Sequence, residues 1–224
     1  MSEIQISAKG LTKEYKMGNE TVHALRGVDL EIEKGSFTAI VGTSGSGKST
    51  LLHLLGCLDR PTSGEISIGD QVITQTGDKE LARIRRERIG FVFQKFCLIQ
   101  EMTVFENITV PVLLSNRKPD TAAIDDLCET LGLAGRKTHL PSELSGGQQQ
   151  RAAIARALAN DPQIILCDEP TGNLDKKTSG EVIGLLQEVN RKYGKTILIV
   201  THDPEIAERA ERVIRIEDGR ICGE

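Results

Sequence analysis

Residues 37–58 read FTAIVGTSGSGKSTLLHLLGCL, and the rest of the chain is organised around this stretch. It begins with a short apolar run, residues 37–41, that is typical of a buried strand. Residues 42–49, GTSGSGKS, match the G-x-x-x-x-G-K-S pattern of a phosphate-binding loop. Leucines then recur close to helical spacing over residues 50–58, which predicts a helix. Strand, glycine-rich loop and helix form the context that this motif requires.

The residue types of the loop suit the phosphates of a nucleotide. Its glycines let main-chain N–H groups surround anionic oxygens, and the following helix directs its positive end at them. Lys48 supplies an ammonium group for the β- and γ-phosphates, and the Ser49 hydroxyl can bind Mg²⁺. An ordinary Gly/Ser turn is the alternative, and the complete motif in its context argues against it. The predicted nucleotide-binding residues here are Gly42, Thr43, Ser44, Gly45, Ser46, Gly47, Lys48, Ser49 and Thr50.

The composition of the chain excludes several classes of protein. The chain has 224 residues, a net charge of −4 and a pI near 5.7, and this acidic balance argues against nucleic-acid binding. No apolar run approaches the roughly 18 residues of a membrane span, and the N-terminus lacks the pattern of a secretory signal. The five cysteines include no C-x-x-C pair, so we expect reduced thiols of a cytoplasmic protein.

The hydrophobic pattern predicts an α/β fold with two additions. Apolar and acidic residues alternate over residues 28–33, which indicates an antiparallel β layer with one wet face. A mainly helical pattern over residues 97–159 interrupts the α/β core. Strands and helices alternate again from residue 160, which indicates a mainly parallel sheet. We therefore expect a single domain at 1–224, with a core at 1–96 and 160–224 and a helical subdomain at 97–159.

Two carboxylates follow a buried strand at residues 164–167. A metal or a polar cleft would account for charges placed there, so Asp168 is a candidate Mg²⁺ partner and Glu169 a candidate general base. The alternative is a strand end that reaches solvent. His202 follows another predicted strand, and at the carboxyl edge of a parallel sheet it would face the ligand.

Two other features are ambiguous when taken alone. Residues 144–148, LSGGQ, open a helix and offer an anion site, although the same residues also suit a plain helix start. Tyr15 lies in the β layer of a chain with 3% aromatic residues. Its ring could stack on a nucleotide base or simply pack against the sheet.

Together these motifs are more specific than any one of them. The phosphate loop, Gln94, LSGGQ, the Asp168-Glu169 pair, Asp175 and His202 occur in an order that resembles the ATP-binding subunits of ABC transporters. The resemblance covers essentially the whole chain and implies a P-loop NTPase core of the RecA-like kind. The segments RIGFVFQ, MTVFENI and PSELSGGQQQRAAIARAL resemble the lipoprotein-releasing, macrolide-efflux and antimicrobial-peptide-export branch.

The resemblance implies a role for each motif. Two copies of the chain would pack head to tail, so that ATP on one phosphate loop is closed over by Ser145, Gly147 and Gln148 of the other copy. Tyr15 would stack on adenine, and Asp175 would line the contact between copies. Glu169 would be the general base, His202 would contact the γ-phosphate, and Gln94 would touch Mg²⁺ and the attacking water. A separate membrane permease would be the partner, which implies a cytoplasmic protein at the inner face of the membrane.

The chain departs from the family pattern at three positions. Cys57 and Cys97 stand where the family often has Gly and Asn, and Gln100 stands near a frequent Pro. These differences concern partner docking more than hydrolysis, so they bear on the cargo. One rival class is a soluble ABC-type ATPase of DNA repair or translation, which the acidic balance and the lack of a second nucleotide domain disfavour. A second rival is a regulatory or scaffolding ATPase that signals to a membrane partner without transport.

Overall fold

A computed structural model describes residues 3–18 and 20–223 of the chain; Met1, Ser2, Asn19 and Glu224 lie outside the described residues. The strands, in chain order, are β1 (Ile4–Met17), β2 (Glu20–Glu33), β3 (Phe37–Val41), β4 (Ser63–Ile68), β5 (Gln71–Val72), β6 (Ile89–Phe93), β7 (Ile164–Asp168), β8 (Thr196–Val200), β9 (Arg212–Glu217) and β10 (Arg220–Gly223). The α-helices are α1 (Lys48–Leu55), α2 (Asp78–Arg88), α3 (Val104–Leu114), α4 (Thr121–Thr130), α5 (Gly146–Leu158), α6 (Lys176–Tyr193) and α7 (Pro204–Ala207).

The strands form two sheets. One has the order β2-β1-β4-β5 and is antiparallel throughout. The other has the order β10-β9-β3-β8-β7-β6, and its strands run parallel except for the β9–β10 hairpin. The predicted α/β fold with a mainly parallel sheet and an antiparallel layer is therefore confirmed.

The parallel sheet separates two hydrophobic cores. Successive side chains of a strand point to opposite faces, so a continuous apolar strand can supply both. In β8, Ile197 and Ile199 pack in one core, whereas Leu198 and Val200 pack in the other. The first core lies against α3 to α6, and the second lies against α1, α2 and the antiparallel sheet. Helix α1 is thus enclosed between the two sheets, which fixes the phosphate loop at its start.

The helix after the phosphate loop is shorter than predicted. It ends at Leu55, three residues before the predicted end, with Gly56 as its C-terminal cap. Cys57 then adopts φ +58°, a left-handed conformation that interrupts the helical path, and Leu58 is 46% exposed. The spacing of leucines extended the prediction beyond the true end because Leu58 fits the helical period without being buried.

The helices α3, α4 and α5 follow β6 and precede β7, within the segment predicted to be helical. Short 3-10 turns at Ala134–Arg136 and Pro141–Glu143 connect α4 to α5. The division of the chain into a core and a helical subdomain stays a prediction. None of the helices in the part of the chain that the structure describes is both long and apolar enough to cross a bilayer.

Candidate functional site

The phosphate loop is held tightly by its surroundings. A Cβ on Gly42 would lie 2.1 Å from the Ile216 carbonyl oxygen, and one on Gly47 would lie 2.5 Å from the Ala24 carbonyl oxygen. Gly47 also adopts φ +103° at the start of α1. These two positions therefore require glycine, for space and, at Gly47, also for conformation. Thr43, Ser44 and Gly45 lie exposed at the tip of the loop.

Lys48 lies within this loop rather than in solvent. Its side chain is buried, and its Nζ donates hydrogen bonds to the carbonyl oxygens of Gly42, at 3.0 Å, and Thr43, at 2.7 Å. An ammonium group has three donors, so one remains for another acceptor. The geometry therefore places a fixed positive charge at the loop, as the sequence predicts for a phosphate ligand.

Ser49 and Asp168 meet although 119 positions separate them along the chain. The Ser49 Oγ, in the first turn of α1, donates to Asp168 Oδ1 at 2.9 Å, at the end of β7. His53 is a neighbour that sequence reasoning missed: its Nε2 lies 3.6 Å from Asp168 Oδ2. The structure thus brings together the hydroxyl and the carboxylate that were predicted to bind Mg²⁺.

Glu169 and His202 form a second pair beside the first. Glu169 has φ +46°, which is uncommon for a residue with a side chain, and its N–H donates to the Val200 carbonyl oxygen at 3.0 Å. His202 Nδ1 lies 3.2 Å from Glu169 Oε1. An open cavity of about 460 Å³ borders both side chains. The predicted base and the predicted γ-phosphate contact are therefore in direct contact with each other.

Gln94 reaches the same sheet edge through strand register. β6 pairs with β7 so that Phe93 stands opposite Asp168, which puts Gln94 one residue beyond the strand end. Its Nε2 lies 3.5 Å from Asn173 Oδ1, and Asn173 Nδ2 donates to the Gln94 carbonyl oxygen at 2.9 Å. Asn173 is therefore a site neighbour that the sequence pattern did not reveal. Among the hydrogen bonds of the described residues, none joins Gln94 to Ser49 or Asp168, so its metal contact stays a prediction.

Ser145 begins α5 as a capping residue. Its Oγ accepts from the Gln148 N–H at 3.4 Å, and its own N–H donates to Gln148 Oε1 at 3.0 Å, which makes a reciprocal capping box. A Cβ on Gly147 would lie 2.4 Å from Thr178 Cγ2, so α5 approaches α6 closely here. No hydrogen bond or ion pair within the described ranges joins residues 145–148 to the phosphate loop.

Asp175 caps the neighbouring helix α6. Its carboxylate accepts from the Thr178 N–H at 3.1 Å and from the Thr178 hydroxyl at 2.5 Å. These two hydrogen bonds hold the pKa of the Asp175 carboxyl below its usual value. The predicted residues Gly147 and Asp175 therefore both contact Thr178. No hydrogen bond or ion pair of the described residues joins either of them to Lys48.

Tyr15 is exposed in the antiparallel layer, where it interacts with two side chains. Its hydroxyl donates to Asp59 Oδ2 at 2.8 Å, and the Lys13 Nζ lies 4.8 Å from its ring centre. Burial raises the pKa of the Tyr15 phenol, and the Asp59 hydrogen bond adds to the rise. The residue as a whole is 37% exposed, which is compatible with stacking of a base on its ring. Asp59 was not foreseen, because the pairing depends on how β1 packs against the end of α1.

The chain is similar to known proteins over most of its length. A family model described as "ABC transporter" matches residues 25–172. The chain is 49% identical to the lipoprotein-releasing system ATP-binding protein of Geobacter metallireducens, covering 96% of each chain. It is 48% identical to a macrolide export ATP-binding/permease protein of Paracoccus denitrificans, covering 98% of this chain and 33% of that protein. The chain therefore spans about a third of the length of that relative.

A solved structure shows the same architecture. It is a dimeric ATP-binding cassette of Methanocaldococcus jannaschii, described as a post-hydrolysis state bound to ADP and Pi. The TM-score is 0.88 at 45% identity, with 96% of each chain covered.

Proposed function

This chain belongs to the ABC transporter family, and from that premise we propose that it is an Mg²⁺-dependent ATPase subunit that powers a separate membrane permease. The observation that carries the proposal is the pair of contacts at one edge of the parallel sheet. Ser49 Oγ lies 2.9 Å from Asp168 Oδ1, and Glu169 Oε1 lies 3.2 Å from His202 Nδ1. Together with the phosphate loop, they supply a cation site and a candidate base beside a place for phosphates.

The residues present fit Mg²⁺. This cation prefers oxygen ligands and usually keeps waters and substrate phosphates among them, so one or two protein ligands suffice. Ser49 and Asp168 offer a hydroxyl and a carboxylate, and we propose that Gln94, one residue beyond the end of β6, offers a third oxygen. When bound, Mg²⁺ would neutralise charge on the phosphate oxygens.

The remaining residues position the phosphates and the attacking water. Phosphoryl transfer to water depends on positioning and charge stabilisation more than on covalent chemistry. Lys48 directs its remaining donor at the phosphates, and the main-chain N–H groups of the loop bind the same oxygens. Glu169 accepts a proton from the attacking water, and His202 holds the Glu169 carboxylate in place and contacts the γ-phosphate.

The proposal includes two protein partners. A second copy would supply Ser145, Gly147 and Gln148 over the nucleotide, because in the described part of the chain these residues form no hydrogen bond or ion pair with their own phosphate loop. A membrane permease would hold the subunit at the inner face of the membrane. The lipoprotein-releasing and macrolide-export relatives favour export or extraction of a lipoprotein or a drug as the coupled process, and we propose a peptide as the third candidate cargo.

Two variants test the ATPase chemistry. Lys48→Ala should weaken nucleotide binding, because the loop then lacks its fixed charge, whereas Glu169→Gln should bind ATP yet hardly turn over. The measurements are equilibrium binding of a fluorescent ATP analogue and steady-state phosphate release by the purified chain. Wild-type turnover by Glu169→Gln would remove Glu169 as the base. Arg209→Gln is the control for handling and folding, because the Arg209 guanidinium donates to the Gly180 carbonyl oxygen in α6 and not to the phosphate loop.

A capture experiment tests the partner. Tagged Glu169→Gln protein is incubated with ATP and Mg²⁺ in detergent-solubilised native membranes, and the bound proteins are identified. A captured integral membrane protein supports the permease proposal, and Lys48→Ala protein should capture less of it. Capture of soluble factors alone would overturn the transport assignment and leave the ATPase chemistry standing.

A further inference from the structure

The main chain just beyond Gln94 is strained. Phe96 has φ +58° and Cys97 has φ +52°, so two consecutive residues with side chains adopt the left-handed conformation. This conformation is uncommon for non-glycine residues and persists where the surroundings hold it. The loop that carries a predicted catalytic residue is therefore kept in one shape by contacts from elsewhere.

The strongest of these contacts comes from Arg156 in α5. Its Nη1 donates to the Cys97 carbonyl oxygen, and its Nη2 donates to the Phe96 carbonyl oxygen at 3.0 Å. No Asp or Glu of residues 3–18 and 20–223 forms an ion pair with Arg156. The guanidinium of this largely buried side chain is therefore committed to main-chain oxygens. We call Arg156 and these two carbonyl groups the Arg156 clamp.

The same helix also holds the main chain before Gln94. Gln150, which is fully buried in α5, donates its Nε2 to the Phe93 carbonyl oxygen at 3.3 Å. The carbonyl groups on both sides of Gln94 are thus bonded to one helix. That helix begins at Ser145, and a Cβ on Gly146 would lie 3.7 Å from the Phe96 ring. Residues 94–99, which we call the Gln94 loop, therefore pack against α5 near its N-terminus.

We propose that Arg156 is a positioning residue for Gln94: by holding Phe96 and Cys97 in their left-handed conformation, it fixes where Gln94 stands at the catalytic edge. The proposal rests on the ATPase function proposed above. Arg156 bonds to the carbonyl oxygens of Phe96 and Cys97, and no hydrogen bond or ion pair of the described residues joins it to Lys48, Ser49, Asp168 or Glu169, so we expect its effect to reach the reaction through Gln94. Misplacement of a positioned group by about 1 Å can lower turnover by up to about a hundredfold.

The first test is the turnover of Arg156→Gln protein. We expect kcat for ATP hydrolysis to fall about tenfold, while KM for ATP stays within about twofold, because the phosphate loop is unchanged. Arg151→Gln is the matched control. It lies in the same helix, and its partner is Glu181 at 2.8 Å rather than the Gln94 loop, so its kcat should match that of wild type. An Arg156→Gln protein with wild-type kcat would overturn the proposal.

Two second-site variants separate positioning from general packing. Cys97→Gly adopts the left-handed conformation without strain, so it should restore most of the turnover lost by Arg156→Gln. In a Gln94→Ala background, Arg156→Gln should cause no further loss, because the residue through which it acts is gone. Losses that multiply in the double variant, together with no rescue by Cys97→Gly, would show that Arg156 acts independently of Gln94.

A readout without turnover keeps this proposal separate from the ATPase proposal. Amide hydrogen exchange over residues 94–99 should become faster in Arg156→Gln and stay unchanged in Arg151→Gln, since loss of the clamp frees the loop. Unchanged exchange in Arg156→Gln would overturn the clamp itself. A wild-type chain that hydrolyses no ATP would contradict the ATPase function, whereas the exchange result would still decide whether the clamp exists.

Discussion

At the scale of the residue, glycine is required at Gly42 of the phosphate loop by the space around it as well as by its role in binding phosphate. Gly42 faces the carbonyl oxygen of Ile216 in β9, and that oxygen belongs to a paired strand that cannot easily move. The loop therefore depends on a strand more than 170 positions later in the chain. A glycine that looks like part of a nucleotide motif also fixes the contact between the loop and the sheet.

Gly42→Ala tests this contact. The added Cβ would lie 2.1 Å from the Ile216 oxygen, so we expect the free energy of unfolding to fall by about 3 kcal/mol and nucleotide binding to be lost. Urea unfolding followed by circular dichroism measures the change. Gly27→Ala is the control: its φ is +81° and nothing lies within 4 Å, so conformational strain of about 1 kcal/mol is the only expected effect. Equal losses in the two variants would contradict the prediction.

The Asp175 carboxyl makes the free energy of unfolding depend on pH. Hydrogen bonds from Thr178 hold its pKa in the folded state below the usual value of 3.8. A lowered pKa stabilises the folded state above pH 3.8, and that contribution is lost as pH falls through the folded-state pKa.

Asp175→Asn cannot titrate and should lack this contribution. The difference in unfolding free energy between wild type and Asp175→Asn should be constant above about pH 5 and shrink at lower pH. Urea unfolding at a series of pH values measures it. A difference that stays constant down to pH 3 would show that the Thr178 hydrogen bonds do not couple to the charge.

At the scale of elements, α3 and α5 begin with the same capping motif, but only the start of α5 has a proposed role in nucleotide binding. Both α3 and α5 start with a reciprocal capping box, formed by Thr103 with Glu106 and by Ser145 with Gln148. A capping box stabilises a helix start wherever it occurs. The local geometry of Ser145 is therefore explained by helix stability, and a role in nucleotide closure must be tested separately.

The two caps provide a matched pair. Ser145→Ala and Thr103→Ala should each lower the free energy of unfolding by about 1 kcal/mol, because each removes one cap. Only Ser145→Ala should also lower ATP turnover, by about tenfold or more, because a donor to the nucleotide is lost. Thermal or urea unfolding and phosphate release measure the two effects. A turnover loss shared by Thr103→Ala would mean that helix stability alone explains the effect of Ser145.

At the scale of the whole molecule, the candidate site is divided between two surfaces of the chain. Lys48, Ser49, Asp168 and Glu169 gather at the edge of the parallel sheet, whereas Ser145 and Gly147 lie where α5 meets α6. A head-to-tail pair of copies would use both surfaces twice, as two-fold symmetry requires. Two incomplete sites in one copy would then make two complete sites in a dimer.

Mixing two inactive variants tests this arrangement. A mixed dimer of Lys48→Ala and Ser145→Arg contains one site with both defects and one with neither, so an equal mixture should recover about a quarter of wild-type turnover. Each variant alone should be inactive. Light scattering with ATP should show Glu169→Gln at about 49 kDa, twice the 24.5 kDa of the chain. A mixture that forms dimers yet stays inactive would contradict the prediction.

The sequence by itself determined the local features. Strand, phosphate loop and α1 were predictable because backbone conformation, helix caps and the hydrophobic period act over a few residues. Asp168, Glu169 and His202 were identifiable because the ends of parallel strands share one edge. The family resemblance added roles for Gln94 and Asp175 that no local pattern supplies, and it favoured one of the two alternatives that the local pattern left for Tyr15 and for Ser145.

Only the tertiary structure decided which distant groups meet. Ser49 with Asp168, Gln94 with Asn173, Tyr15 with Asp59 and Arg156 with the loop at Phe96 are separated by 44 to 119 positions. Such contacts depend on strand order, register and the packing of helices on the sheet, which are set by burial summed over the whole chain. The residues next to a position in the sequence do not predict such contacts. For this reason the sequence around Arg156 indicates only an ordinary helical arginine, and its contact with the Gln94 loop is known from the fold alone.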